Sequence, residues 1–121
     1  MSLNAVWIEI PCKDIQRALK FYEAVFGVSA EVIDDGERKT ATLVYESGRV
    51  GISLNQTANF EPSDRGVYVY LDAGEDITAV LPKVQAAGGN ALTDKISMGD
   101  AGFYATILDT EGNAVGLYAA K

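Results

Sequence analysis

The chain has 121 residues, 48% of them hydrophobic and 22% charged, which fits one unit able to bury a core without disulfides. Seventeen acidic residues against ten basic ones give a net charge of −7, which argues against nucleic acid and anionic membranes as partners. One cysteine excludes an intrachain disulfide, no stretch approaches the roughly 20 apolar residues of a membrane span, and no secretory-type segment opens the chain, so a cytoplasmic location is expected.

Residues 5–11 alternate, with Val6, Ile8 and Ile10 on one face of a strand and Trp7, Glu9 and Pro11 on the other. Asp14 then reads as a helix N-cap. Ile15, Ala18, Leu19, Tyr22, Val25 and Phe26 follow at helical spacing, and Gly27 ends the helix. Three strands are expected next, at Ser29–Ile33, Lys39–Tyr45 and Val50–Asn55, separated by the turn-like runs Asp34-Asp35-Gly36 and Glu46-Ser47-Gly48. The first half thus reads βαβββ. Residues 56–65 are polar and aperiodic and read as a connection.

The second half repeats the order. A strand is expected at Val67–Asp72, then a helix capped by Asp76 with Ile77, Val80, Leu81, Val84 and Ala87 on one stripe. Pro82 falls inside that stripe and should bend the helix. Gly88-Gly89 stop it. Short strands are expected near Ala91–Thr93, Tyr104–Leu108 and Ala114–Ala119, the last two joined by a turn at Glu111-Gly112-Asn113. Ser97 to Gly102 reads as an exposed loop, with a lid as the alternative. The expected architecture is α+β: two βαβββ modules, about 4–55 and 66–120, related by a pseudo-twofold axis and forming a cupped mixed sheet within one domain.

If the apolar face of each strand covers its helix, the opposite face lines something else. In the first half that face carries Trp7, Glu9, Gly51, Ser53 and Asn55; in the second, Tyr68, Tyr70, Gly116 and Tyr118. Polar-tipped aromatics, small residues and one carboxylate suit a partly wet ligand pocket or a subunit interface.

Three runs carry a family resemblance: Trp7-Ile8-Glu9-Ile10-Pro11, Asp14-Ile15-Gln16-Arg17-Ala18, and Phe21-Tyr22-Glu23-Ala24-Val25-Phe26-Gly27. Together they resemble the opening of a vicinal oxygen chelate module, the group of glyoxalases, bleomycin resistance proteins and extradiol dioxygenases. Asp109-Thr110-Glu111-Gly112-Asn113 and Val115-Gly116-Leu117-Tyr118 resemble its closing turn and strand, with Thr110 where proline is usual. The resemblance implies paired βαβββ modules, usually in a homodimer, and four His or Glu metal ligands. Those four positions fall here on Trp7, Ser53, Tyr68 and Gly116. None is a competent ligand for a divalent cation, and the chain has no histidine. No metal and no cofactor is therefore expected.

The function expected is binding of a small organic molecule without metal, through Trp7, Glu9, Ser53, Tyr68, Tyr70 and Tyr118, in a homodimer. The alternative is an enzyme of lyase, isomerase or dioxygenase type, using an atypical metal site or Glu9 as acid/base after burial has raised its pKa. Against that stands an ion pair of Glu9 with a residue such as Arg49. A third reading is an interaction module with the aromatic face buried against a protein. Cys12 shares parity with Ile8 and Ile10 and reads as a small buried hydrophobe.

Overall fold

Both helices start where a short acidic side chain can satisfy free backbone donors. Asp14 accepts from the Arg17 N–H at 3.1 Å and opens α1 (Ile15–Phe26). Asp76 accepts from the Thr78 N–H at 2.9 Å and opens α2 (Ile77–Ala86). Gly27 closes α1 in the left-handed conformation, φ 70°. α2 ends on Ala87, and the Gly89 N–H bonds the Val84 carbonyl at 2.9 Å. A Cβ at Gly89 would lie 2.6 Å from both the Leu108 carbonyl oxygen and the Phe21 ring, so glycine lets the end of α2 close on both. These features come from a computed structural model describing residues 2–74 and 76–121.

The strands form two mixed sheets. In the first, β1 (Trp7–Pro11) lies parallel to β4 (Gly51–Gln56), which pairs antiparallel with β3 (Lys39–Val44), and β3 with β2 (Val32–Asp34). In the second, β5 (Tyr70–Asp72) lies parallel to β9 (Ala114–Ala119), which pairs antiparallel with β8 (Phe103–Leu108). Two short strands, β6 (Asn90–Ala91) and β7 (Ile96–Ser97), pair with opposite ends of β8. The βαβββ order is thus present twice, with the second strand of the second copy interrupted.

The repeat extends to the register. Ile10 pairs with Leu54 and Leu54 with Ala41 in the first sheet. Leu71 pairs with Leu117 and Leu117 with Ala105 in the second. All six are buried in one hydrophobic core, with the apolar stripes of α1 and α2. Side chains alternate across a strand, so the neighbours of these residues are turned to the other face.

Two strand starts are corrected. β2 begins at Val32, not Ser29. β5 begins at Tyr70, not Val67: the Ala114 N–H is taken by the Ser63 carbonyl at 3.3 Å, so β9 has no donor there for a longer partner. Residues 97–101 are exposed, as expected of a loop, and the segment is closed by a 3-10 turn, Gly99–Ala101, with the Met98 N–H bonding the Gly102 carbonyl at 2.7 Å. No helix among the described residues is long and apolar enough to cross a membrane.

The modules are joined by a buried polar hub. Tyr22 of α1 donates to the Asp109 carboxylate at 2.7 Å. Glu111 accepts the Lys13 and Asp14 N–H groups at 2.9 Å each and takes Arg17 Nε at 2.7 Å. Asn113 donates to the Pro11 carbonyl at 2.8 Å. Burial pushes the Tyr22 hydroxyl well up, and the Asp109 charge adds to it. Burial would also push Glu111 up, but Arg17 and the two N–H donors overcome it and hold the carboxylate below its usual 4.5.

Candidate functional site: two open aromatic faces

On the outer face of the first sheet the indole of Trp7 lies flat across Gly51, where a Cβ would overlap the ring. The absence of a side chain at residue 51 therefore sets the ring's position. Trp7 Nε1 donates to the Ser53 hydroxyl at 3.1 Å, and Asn55 Nδ2 donates to the same oxygen at 2.9 Å. Asn55 Oδ1 accepts from Arg38 Nη1 at 3.1 Å and Thr40 Oγ1 at 3.2 Å. Arg38 Nη1 also reaches Glu9 at 2.7 Å. Trp7, Ser53, Asn55, Arg38 and Glu9 thus form one continuous polar chain. Ser53 and Asn55 are buried beneath it. Ser53 accepts two hydrogen bonds there and donates none among the described residues.

Glu9 behaves differently from the sequence-based alternative. Its side chain is 41% exposed and paired, and the partner is Arg38, not Arg49, which instead pairs with Glu46. The reason lies in the β2–β3 hairpin. Asp35 accepts the Glu37 and Arg38 N–H groups, and the turn delivers Arg38 back over β4. Within one chain Glu9 is therefore partly exposed and ion-paired, not enclosed beside Trp7 and Tyr68.

The second sheet repeats the arrangement with tyrosines. Tyr70 lies over Gly116 as Trp7 lies over Gly51. Tyr68 and Tyr104 flank it, with ring centroids 6.4 and 6.2 Å from that of Tyr70, both edge-on. Tyr118 pairs across the strands with Tyr104, and its hydroxyl donates to the Ala101 carbonyl. Trp7, Tyr68, Tyr70 and Tyr118 remain 37–49% exposed.

The six expected residues therefore fall into two groups, Trp7, Glu9 and Ser53 on one sheet, Tyr68, Tyr70 and Tyr118 on the other. No aromatic contact links the groups among the described residues. Arg38, Thr40 and Tyr104 join them in space and were not singled out from the sequence. Tyr104 was findable by parity with Tyr118; Arg38 depends on the hairpin geometry. Cys12 is buried as expected, and burial followed by the Glu111 and Asp109 charges pushes its thiol up to about 12, which makes it a poor nucleophile.

The positions that the resemblance assigns to metal ligands do not fit a metal. Trp7 and Ser53 spend their polar atoms on one another, Tyr68 offers a phenol, and Gly116 is covered by the Tyr70 ring. An indole, a hydroxyl, a phenol and a bare backbone are not the imidazole, carboxylate or thiolate donors such a centre needs.

The family model of the glyoxalase/bleomycin resistance protein/dioxygenase superfamily matches residues 4–117. Proteins named "Putative glyoxylase CFP32" from Mycobacterium bovis and Mycobacterium tuberculosis are 30% identical across 95% of this chain, which spans only 45% of their length. A solved glyoxalase/bleomycin resistance protein/dioxygenase family enzyme from Burkholderia phytofirmans superposes with a TM-score of 0.71 at 19% identity, covering 98% of this chain and all (100%) of that one. A glyoxalase I mutant from Zea mays superposes with a TM-score of 0.73 at 22% identity, covering 95% of this chain and 46% of that one. The chain belongs to the glyoxalase/bleomycin resistance protein/dioxygenase superfamily.

Proposed function

We propose that the protein binds a small organic molecule without metal, on the face built from Trp7, Glu9 and Ser53 and the face built from Tyr68, Tyr70 and Tyr118, brought together by a second copy of the chain. One observation carries the reading. The Trp7 indole is held by Ser53 and by the bare backbone of Gly51, so a broad ring stands ready, half-exposed, above a satisfied polar network. A pre-positioned aromatic plane beside polar groups favours a flat or conjugated guest, because little ordering is left for binding to impose. The Arg38–Glu9 pair at its edge gives such a guest both a donor and an acceptor.

Exposed apolar side chains on both modules support the homodimer. Val6 and Tyr45 flank Trp7 and Val67 flanks Tyr68, all largely uncovered in one chain. A twofold-symmetric pairing would let each copy lend its tyrosine face to the other's tryptophan face. The relatives of about twice the chain length are compatible with such a doubling.

Trp7 is the only tryptophan, so its fluorescence reports on the site directly. Titration with a panel of planar heteroaromatic compounds should give saturable quenching by at least one class, with sedimentation equilibrium showing a dimer. A monomer, or a panel without saturable quenching, would count against the proposal. Elemental analysis of untagged protein checks the metal-independent part: stoichiometric zinc, nickel, manganese or iron would revive the enzyme alternative.

A further inference from the structure

A second cavity lies away from both aromatic faces. It measures about 530 Å³ and opens between the modules. Val25 and Phe26 of α1, Leu43 and Ile52 of the first sheet, and Leu71 and Val80 of the second module form its walls. Its volume falls in the usual range for small-molecule sites, and apolar walls with few polar groups are the usual composition. Neither Trp7, Ser53, Tyr68, Tyr70 nor Tyr118 lines it.

The charged residues of the lining are Arg49, Lys83 and Asp72. Arg49 and Lys83 are exposed, which places them toward solvent while the walls are mostly buried or half-buried. The Arg49 contact with Glu46 is an exposed ion pair and holds it weakly. Asp72 is engaged by the Gly74 N–H at 2.8 Å. Among the described residues the lining thus holds two cations and one carboxylate, on a chain of net charge −7. We infer that this cleft is a separate site for an amphipathic monoanion, an aliphatic chain ending in a carboxylate. The chain lies among Val25, Phe26, Leu43 and Val80, and the carboxylate meets Arg49 and Lys83 by charge-assisted hydrogen bonds. The site is independent of any guest on the aromatic faces, because it shares no residue with them.

The test is methyl NMR of the full chain titrated with sodium dodecanoate below its micelle concentration. Dodecanol and dodecyltrimethylammonium serve as controls, beside an Arg49→Glu, Lys83→Glu double variant. Both substitutions lie on the surface, so the variant should fold; its unperturbed core methyl spectrum verifies this. The expected result is saturable one-site binding with shifts at the Leu43, Ile52, Leu71 and Val80 methyls. Affinity should fall at least about tenfold in the double variant and be lower for both controls. A Leu43→Trp variant, which fills the cleft, should abolish binding. Overturning results would be no saturable shift, shifts centred on the Val6 or Val67 methyls beside the aromatic faces, or equal affinity of dodecanoate for wild type and double variant.

Discussion

Tyr22 and Asp109 sit 87 positions apart in sequence and share a 2.7 Å hydrogen bond that crosses from one module to the other. Both side chains are buried, and Asp109 also accepts from the backbone of Glu111 and Asn113 and from the Asn113 side chain. Tyr22→Phe keeps the ring packing against Phe21 and Phe26 and removes one donor from a buried carboxylate. A loss of about 1–3 kcal/mol is expected in urea denaturation, with folded secondary structure intact by circular dichroism. A change within experimental error would show that the hub does not hold the modules together.

Glu111 gives a pH-dependent version of the same joint. Its folded-state value lies below the usual 4.5, so the ionised carboxylate stabilises the fold fully above that value. The contribution fades as pH falls through the depressed value. Glu111→Gln retains an acceptor for the Lys13 and Asp14 N–H groups but loses the charge that holds Arg17. Its melting temperature should fall well below wild type at pH 7, and the gap should narrow as the pH drops below 4.5. A gap of constant size down to acid would show that the charge is not what matters.

Gly51→Ala isolates the tryptophan platform. The backbone at residue 51 is not left-handed, so alanine fits the strand, but its Cβ collides with the indole. The ring should tilt out and lose Ser53, red-shifting Trp7 emission and weakening ligand quenching. Stability should change by no more than about 1 kcal/mol, because the displaced ring is half-exposed. Unaltered emission would mean that Gly51 does not fix the ring.

Pro82→Ala probes α2. Pro82 is exposed in the helix interior, where it cannot donate to the carbonyl one turn earlier. Alanine restores that bond and should raise stability by about 1–3 kcal/mol in thermal or chemical unfolding. A drop would mean that the surrounding packing depends on the proline's local geometry.

The sequence was most legible where the cause is local. Asp14 and Asp76 cap helices through donors two or three residues away, and Gly27 stops α1 with its own dihedral angle. Alternation identified the faces of β1, β4 and β9, because period two is a property of each strand alone. What escaped was set by distant partners. The Ser63 carbonyl, on the segment that leads into β5, takes the Ala114 N–H from a residue far along the chain, and so decides where that strand starts. An Arg or Lys partner for Glu9 was readable, with Arg49 as the example, but Arg38 reaches Glu9 only after a hairpin folds it back. Glu111-Gly112-Asn113 read as a tight turn, and a turn motif does not disclose that Asp109, Glu111 and Asn113 are buried, since the opposite module supplies their partners.

The position of that turn determines whether either half could ever live alone. Residues 1–55 separated from the rest would begin α1 with the Lys13 and Asp14 amides and the Arg17 guanidinium stripped of the carboxylate that serves all three. The complementary piece would carry Asp109 and Glu111 without their counterparts and would open them to water. Although the architecture is a duplication, the copies have specialised into lock and key: the first provides the helix start and the second the acid that fits it. A tandem of two first halves would leave two locks and no key, and a tandem of two second halves two keys and no lock.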